Sequence, residues 1–134
     1  MSRIISPQKV VQNALRFTAT VAPSVASHLT WRLFCTPLWA SQPTPSQKEA
    51  LKRAQPFEVL FGRRRLECFR WGDAQRPTLM AIHGWGGRAH VFGDLLQPLL
   101  DRGFSVVSFH APGHYRLGQK TNLPENLPAI RAVA

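Results

Sequence analysis

Acidic residues are scarce in this sequence, with 7 Asp and Glu against 17 Lys and Arg, so the formal charge is +10. A balance that basic raises nucleic acid and anionic membranes as partners. The arginines are scattered, however, and the one run, Arg63-Arg64-Arg65, falls where a hairpin turn is expected and would be solvated there. No helix-turn-helix, zinc-finger or aromatic RNA-binding signature accompanies the charge, which argues against nucleic acid. Cysteine is scarce too. Cys35 and Cys68 lie in different kinds of segment without metal or redox spacing, so both read as reduced, partly buried thiols. That fits a cytoplasmic protein better than a secreted one. Long apolar runs are missing as well. The uncharged stretch from Phe17 to Trp31 is interrupted by Pro23, Ser24, Ser27, His28 and Thr30, and is too short and polar to span a bilayer. The first residues lack the basic, apolar, small order of a signal peptide. No internal repeat or low-complexity segment is present.

What is present suffices for one globular domain with a core, since 44% of the 134 residues are hydrophobic. Residues 1–56 read as a helical extension. Val10, Val11, Ala14, Leu15 and Thr18 recur at helical spacing, Pro23 interrupts, and Ser24 is placed to cap a second helix with a Val25, Leu29, Leu33 stripe. Ser46-Gln47-Lys48-Glu49 reads as the capping box of a third, short helix. This arm either packs as a plain helical extension or lies on a membrane surface through Arg3, Lys9, Arg16 and Arg32.

From residue 57 to 134 the pattern is α/β. Phe57, Val59 and Phe61 face one way against Glu58, and after Gly62-Arg63-Arg64 Leu66 and Cys68 alternate with Glu67 and Phe69, which predicts an edge β-hairpin. A strand over Thr78–Ile82 follows, then a glycine-rich loop. Next come a helix carrying Val91, Leu95, Leu96 and Leu99 that Gly103 terminates, and a strand ending at Phe109. Strand, helix, strand in this length predicts a parallel pair. His110-Ala111-Pro112-Gly113-His114 turns at the second strand's end. Asn122 with Glu125 caps a last helix, with Pro124 in its first turn, unless Pro128 moves the start to Asn126.

The organising stretch is Thr78-Leu79-Met80-Ala81-Ile82-His83-Gly84-Trp85-Gly86-Gly87-Arg88-Ala89. Its unbroken apolar run reads as a strand buried on both faces, delivering a tight loop to a sheet end. Glycines at 84, 86 and 87 permit positive φ and let a ligand approach bare N–H groups.

An apolar strand ending in His83-Gly84-Trp85-Gly86-Gly87, a helix, then Val106-Val107-Ser108-Phe109-His110-Ala111-Pro112-Gly113-His114 resembles the N-terminal half of an α/β-hydrolase. The resemblance covers about residues 57–134. It implies antiparallel strands followed by parallel ones, a small-molecule ester or related acyl substrate, and no cofactor. It also implies that the Trp85 backbone amide donates to the oxyanion of an acyl-transfer intermediate, with His83, Gly84, Gly86 and Gly87 shaping that loop. His110, Pro112, Gly113 and His114 become strand-end loop residues, not the catalytic base. Residue 110 is His where aspartate is usual, and Tyr115 stands where glycine is usual. The family's serine lies in a G-x-S-x-G elbow that no serine here satisfies, and its acid and histidine come later still. The expectation is therefore an N-terminal portion of a serine hydrolase, truncated before its nucleophile and inactive alone. The resemblance also puts the Ser105–Phe109 strand on one side of Thr78–Ile82 and leaves Leu79, Met80, Ala81 and Ile82 as a free apolar edge on the other.

Other readings stay open. A non-catalytic remnant or binding protein of the same fold would share every feature above. Gly84, Gly86 and Ala89 also satisfy G-x-G-x-x-G/A after a strand, as in a dinucleotide-binding βαβ module, although Phe104 to Ala111 contains no ribose-binding acid. His83, His90, His110 and His114 match no zinc spacing and read as loop or surface residues.

Overall fold

A computed structural model describes residues 6–114 and 119–134, so Tyr115 lies outside the described residues. The chain divides into two compact units, residues 1–36 and 37–134.

The first unit is a pair of helices, α1 (Pro7–Val21) and α2 (Pro23–Phe34). Ser6 caps α1 by accepting from the Lys9 amide, with Pro7 in the first turn where its missing N–H costs nothing. The start of α2 differs from expectation. The helix begins at Pro23, one residue before Ser24, and Ala22 offers it no side-chain cap. Proline is suited to the first helical position, so Ser24 lies inside the helix rather than before it. The Val25, Leu29, Leu33 stripe is not a buried face, since Val25 and Leu29 are exposed and Ala26 is the buried residue of α2.

The second unit is built on a four-stranded mixed sheet in the order β1-β2-β4-β3. β1 (Gln55–Phe61) and β2 (Arg64–Trp71) form the antiparallel hairpin, with Gly62 at φ +58° in its two-residue turn. β3 (Thr78–Ala81) pairs parallel with β4 (Ser105–Phe109), which also pairs antiparallel with β2. Alternation along β2 sends its side chains to two cores. Phe69 and Trp71 pack with Val106 against Ala50 of α3 (Pro45–Lys52) and Leu96 of α4 (Gly93–Asp101). Leu66 and Cys68 pack with Phe109 against Ala129 of α5 (Leu123–Val133) on the other side. Burial pushes the Cys68 thiol up to about 11, so it is an inert core side chain at neutral pH.

The compact unit thus takes in α3, which the sequence grouped with the arm. The Trp71 indole donates to the Ala50 carbonyl at 2.7 Å, and Ser46 and Gln47 donate to Asp94 at the start of α4. These bonds fix α3 to the sheet unit. Its capping box is displaced two residues from the expected one. Thr44 accepts from the Gln47 amide and Gln47 reaches back to the Thr44 amide, which puts Pro45 at the first helical position. Glu49 instead pairs with Lys52.

Gly103 ends α4 as expected, at φ +80°. The Gly103 amide donates to Leu100 and the Phe104 amide to Leu99, the two bonds of a Schellman motif. Asn122 caps α5 by accepting from the Glu125 amide, so Pro128 falls inside the helix without moving its start. The Glu125 carboxylate pairs with Arg64 at 3.0 Å rather than folding back on the cap.

The run 79–82 is not covered on both faces, whereas its expected place as a free edge beside the Ser105–Phe109 strand is observed. β3 is an edge strand with β4 as its neighbour among the described residues, and Leu79 is 39% exposed. Every residue of β4 is buried, although two of its five are serines. Position in the sheet, not apolar content, sets which strand is covered.

Candidate active site

β3 and β4 are parallel neighbours, so their C-terminal ends emerge side by side, at Ala81 and Ser108 in the pairing register. The loops that follow them carry the glycine stretch and the His110–His114 turn. The Gly87 amide donates to the Gly84 carbonyl at 3.0 Å, closing a β-turn with Trp85 and Gly86 at its apex. Gly86 has φ +70° and Trp85 does not have positive φ, which together define a type II turn. Glycine at 86 is required twice over. The backbone conformation excludes a side chain, and a Cβ would lie 2.8 Å from the Trp39 carbonyl oxygen.

Two imidazoles bind the loops together. The Ala111 amide donates to His83 Nε2 at 3.1 Å, so that nitrogen carries no proton; Nδ1 holds it and donates to the Gly84 carbonyl at 2.9 Å. The Ala89 amide donates to His110 Nδ1 at 3.3 Å, which leaves the proton on Nε2, 3.6 Å from the Glu67 carboxylate. A third ring, His114, donates from Nδ1 to the Pro112 carbonyl at 3.0 Å and stands edge-on to His83 and to Trp85, each at 5.1 Å. The Arg88 Nε donates to the His114 carbonyl at 3.3 Å.

Burial lowers the affinity of all three rings for a second proton, taking His110 down to about 4. Each is therefore a neutral imidazole at pH 7, serving as a hydrogen-bonding strut. This answers the question raised by His110 in an aspartate's usual place: a neutral ring accepts the Ala89 amide without a charge. Among the described residues no cluster of His, Cys, Asp or Glu has the arrangement of a metal site.

The sequence missed one component. Residues between α2 and α3 cross the glycine turn, where the Ser41 amide donates to the Gly86 carbonyl at 2.9 Å. The Ser41 hydroxyl also meets His90 Nε2 at 3.2 Å. This strap and the turn enclose a cleft of about 440 Å³ with Trp39, Ser41, Trp85 and Val91 in its walls. Pro37, Pro43 and Pro45 made the segment read as punctuation between helices, and no local pattern marks a strap that docks some 45 residues along the chain.

An antiparallel hairpin, a parallel pair ending in a glycine turn, and helices on both faces constitute part of an α/β-hydrolase-like fold. The chain is similar to a solved thioesterase domain from the curacin biosynthetic pathway, with a TM-score of 0.54 and 22% identity. The likeness covers 60% of this chain and 32% of that one, and at this identity it is a likeness of fold. No family profile and no curated protein matches the sequence.

Proposed function

We propose that this chain carries the oxyanion-loop half of a serine hydrolase acting on a carboxylic ester or a related acyl compound. The observation that carries this reading is the type II turn at the end of β3, tied through His83 to the end of β4. In acyl transfer a serine hydroxyl adds to the carbonyl carbon and the carbonyl oxygen becomes an anion. That anion needs rigid N–H donors in a water-poor place. The Trp85 amide, at the apex of a braced turn on a residue that is 45% exposed in this chain, is the donor assigned to that role. The nucleophile, acid and base that this reading requires are not among these residues.

Two observations weigh against the dinucleotide alternative. The Ala89 amide, which would face a pyrophosphate, is taken by His110, and a four-residue 3-10 turn separates the glycines from α4. A non-catalytic protein of the same fold keeps one observation in its favour, the neutral His110 where the family resemblance implies aspartate.

The test is to read and express the coding sequence beyond Ala134. A G-x-S-x-G elbow within the next few dozen residues, and covalent labelling of its serine by a fluorophosphonate, is the expected result. A longer product without such a serine, or one inert to the probe, supports the non-catalytic protein instead.

A further inference from the structure

The acidic residues are unevenly placed. The first is Glu49, so residues 1–48 contain five basic residues and no acid. Every charged side chain of the α1–α2 unit is therefore positive, and Lys9, Arg16 and Arg32 are the described ones.

The same unit displays large apolar side chains. Val10, Phe17 and Val21 recur along α1 at spacings of seven and four, which puts them on one stripe. Phe17 is 72% exposed and Val21 67%. Val11, Leu15 and Thr18 form the adjoining, half-buried stripe. On α2, Val25 and Leu29 are exposed at a spacing of four. An open cleft of about 650 Å³ between the helices is lined by Arg16, Ala19, Thr30 and Trp31 among others, and by none of these five side chains. Val10, Phe17, Val21, Val25 and Leu29 therefore occupy the side of the hairpin away from that cleft. Trp31 and Phe34, also exposed, stack at 6.0 Å. Lys9 and Arg16 each precede a stripe residue by one position, so they lie about 100° around the axis and border the stripe along one edge, on the side of the cleft that Arg16 lines.

We propose that the α1–α2 hairpin is an interfacial anchor that lays its Val10–Phe17–Val21–Val25–Leu29 side into the surface of an anionic lipid bilayer. Apolar side chains enter the headgroup boundary while flanking lysine and arginine meet lipid phosphates. Among the described residues no helix is long and apolar enough to cross a bilayer, so the hairpin lies on the surface. Charge selects this occupant. A protein partner would have to bring its own acids to a surface that has none, whereas an anionic membrane supplies them continuously. The proposal is independent of the hydrolase reading.

The test is flotation of the whole chain with vesicles of phosphatidylcholine plus phosphatidylglycerol, against pure phosphatidylcholine. The wild type is expected to float with the anionic vesicles and to be released by high salt. Phe17→Ser with Val21→Ser is expected to weaken binding about tenfold or more, as is Lys9→Gln with Arg16→Gln and Arg32→Gln. All five positions are solvent-facing or half-exposed, and circular dichroism checks that the helices persist in both variants. Equal binding to both vesicle types, or unchanged binding by both variants, overturns the proposal. So does a wild type that ignores vesicles but self-associates in a way that Phe17→Ser with Val21→Ser abolishes, since the stripe would then face a second copy.

Discussion

β3 and β4 are adjacent parallel strands whose contents and environments run in opposite directions. Leu79, Met80, Ala81 and Ile82 form an uncharged apolar run, yet Leu79 is 39% and Ile82 46% exposed. β4 reads Ser-Val-Val-Ser-Phe and is wholly buried. The Ser105 hydroxyl is accommodated there by donating to the Trp71 carbonyl at 3.2 Å, whereas the buried Ser108 hydroxyl has no hydrogen-bond partner among the described residues. The difference lies in neighbours: β4 has a strand on either side and β3 has one among the described residues. The outer edge of β3 offers N–H and C=O groups to another strand, with no lysine, proline or bulge to discourage pairing.

The largest effect should appear when equivalent truncations are made in the two strands. Phe109→Ala removes a buried ring from β4 and is expected to cost about 3–5 kcal/mol, whereas Leu79→Ala on β3 should cost about 1 kcal/mol or less. Urea denaturation of both variants measures the gap, and similar losses would mean that β3 is covered in solution. Leu79→Lys sharpens the same point, because a charged edge should reduce self-association on size-exclusion chromatography at little cost in stability.

A somewhat smaller effect belongs to the strand ends. The folded state holds His110 near 4, below the ordinary 6.5, so the unfolded chain binds more protons between those values. Stability is therefore full above pH 6.5 and falls as pH drops toward 4, by about 3 kcal/mol from this ring. His110→Asn retains an acceptor for the Ala89 amide and does not titrate, so it should make that acid limb shallower, with His83 and His114 supplying what remains. An unchanged acid limb in denaturation curves taken across this range would show that His110 is not buried neutral.

The smallest effect tests the cap of α3. Thr44→Ala should cost about 1 kcal/mol, and Ser46→Ala clearly less, because Thr44 rather than Ser46 accepts the orphan amide. Thermal melts that rank the two the other way would restore the box read at Ser46–Glu49.

The hairpin, the parallel pair, the Gly103 terminus and the Asn122 cap were legible because each is written in a few consecutive residues. The glycine turn was legible for the same reason, since positive φ at Gly86 is a local demand. What escaped depends on distant partners. The edge position of β3 also follows from sheet order, and it was anticipated only through the family resemblance. The Ser41 strap follows from a bond to Gly86, and the roles of His83 and His110 follow from amides 28 and 21 residues away. Ser24 and Ser46 misled for a further reason: each is one residue after a proline that takes the first helical position itself.

The most direct test of the proposed oxyanion role compares Trp85→Phe with Trp85→Pro in a product of the coding sequence that carries the proposed serine nucleophile. Position 85 is the second residue of a type II turn, where proline fits, so Trp85→Pro deletes the N–H while the turn can persist. The account predicts that Trp85→Phe keeps most of kcat/KM on a short ester and that Trp85→Pro loses about two to three orders of magnitude. Equal losses in the two variants, or a Trp85→Pro enzyme that retains wild-type turnover, would contradict the assignment of the Trp85 amide to the oxyanion.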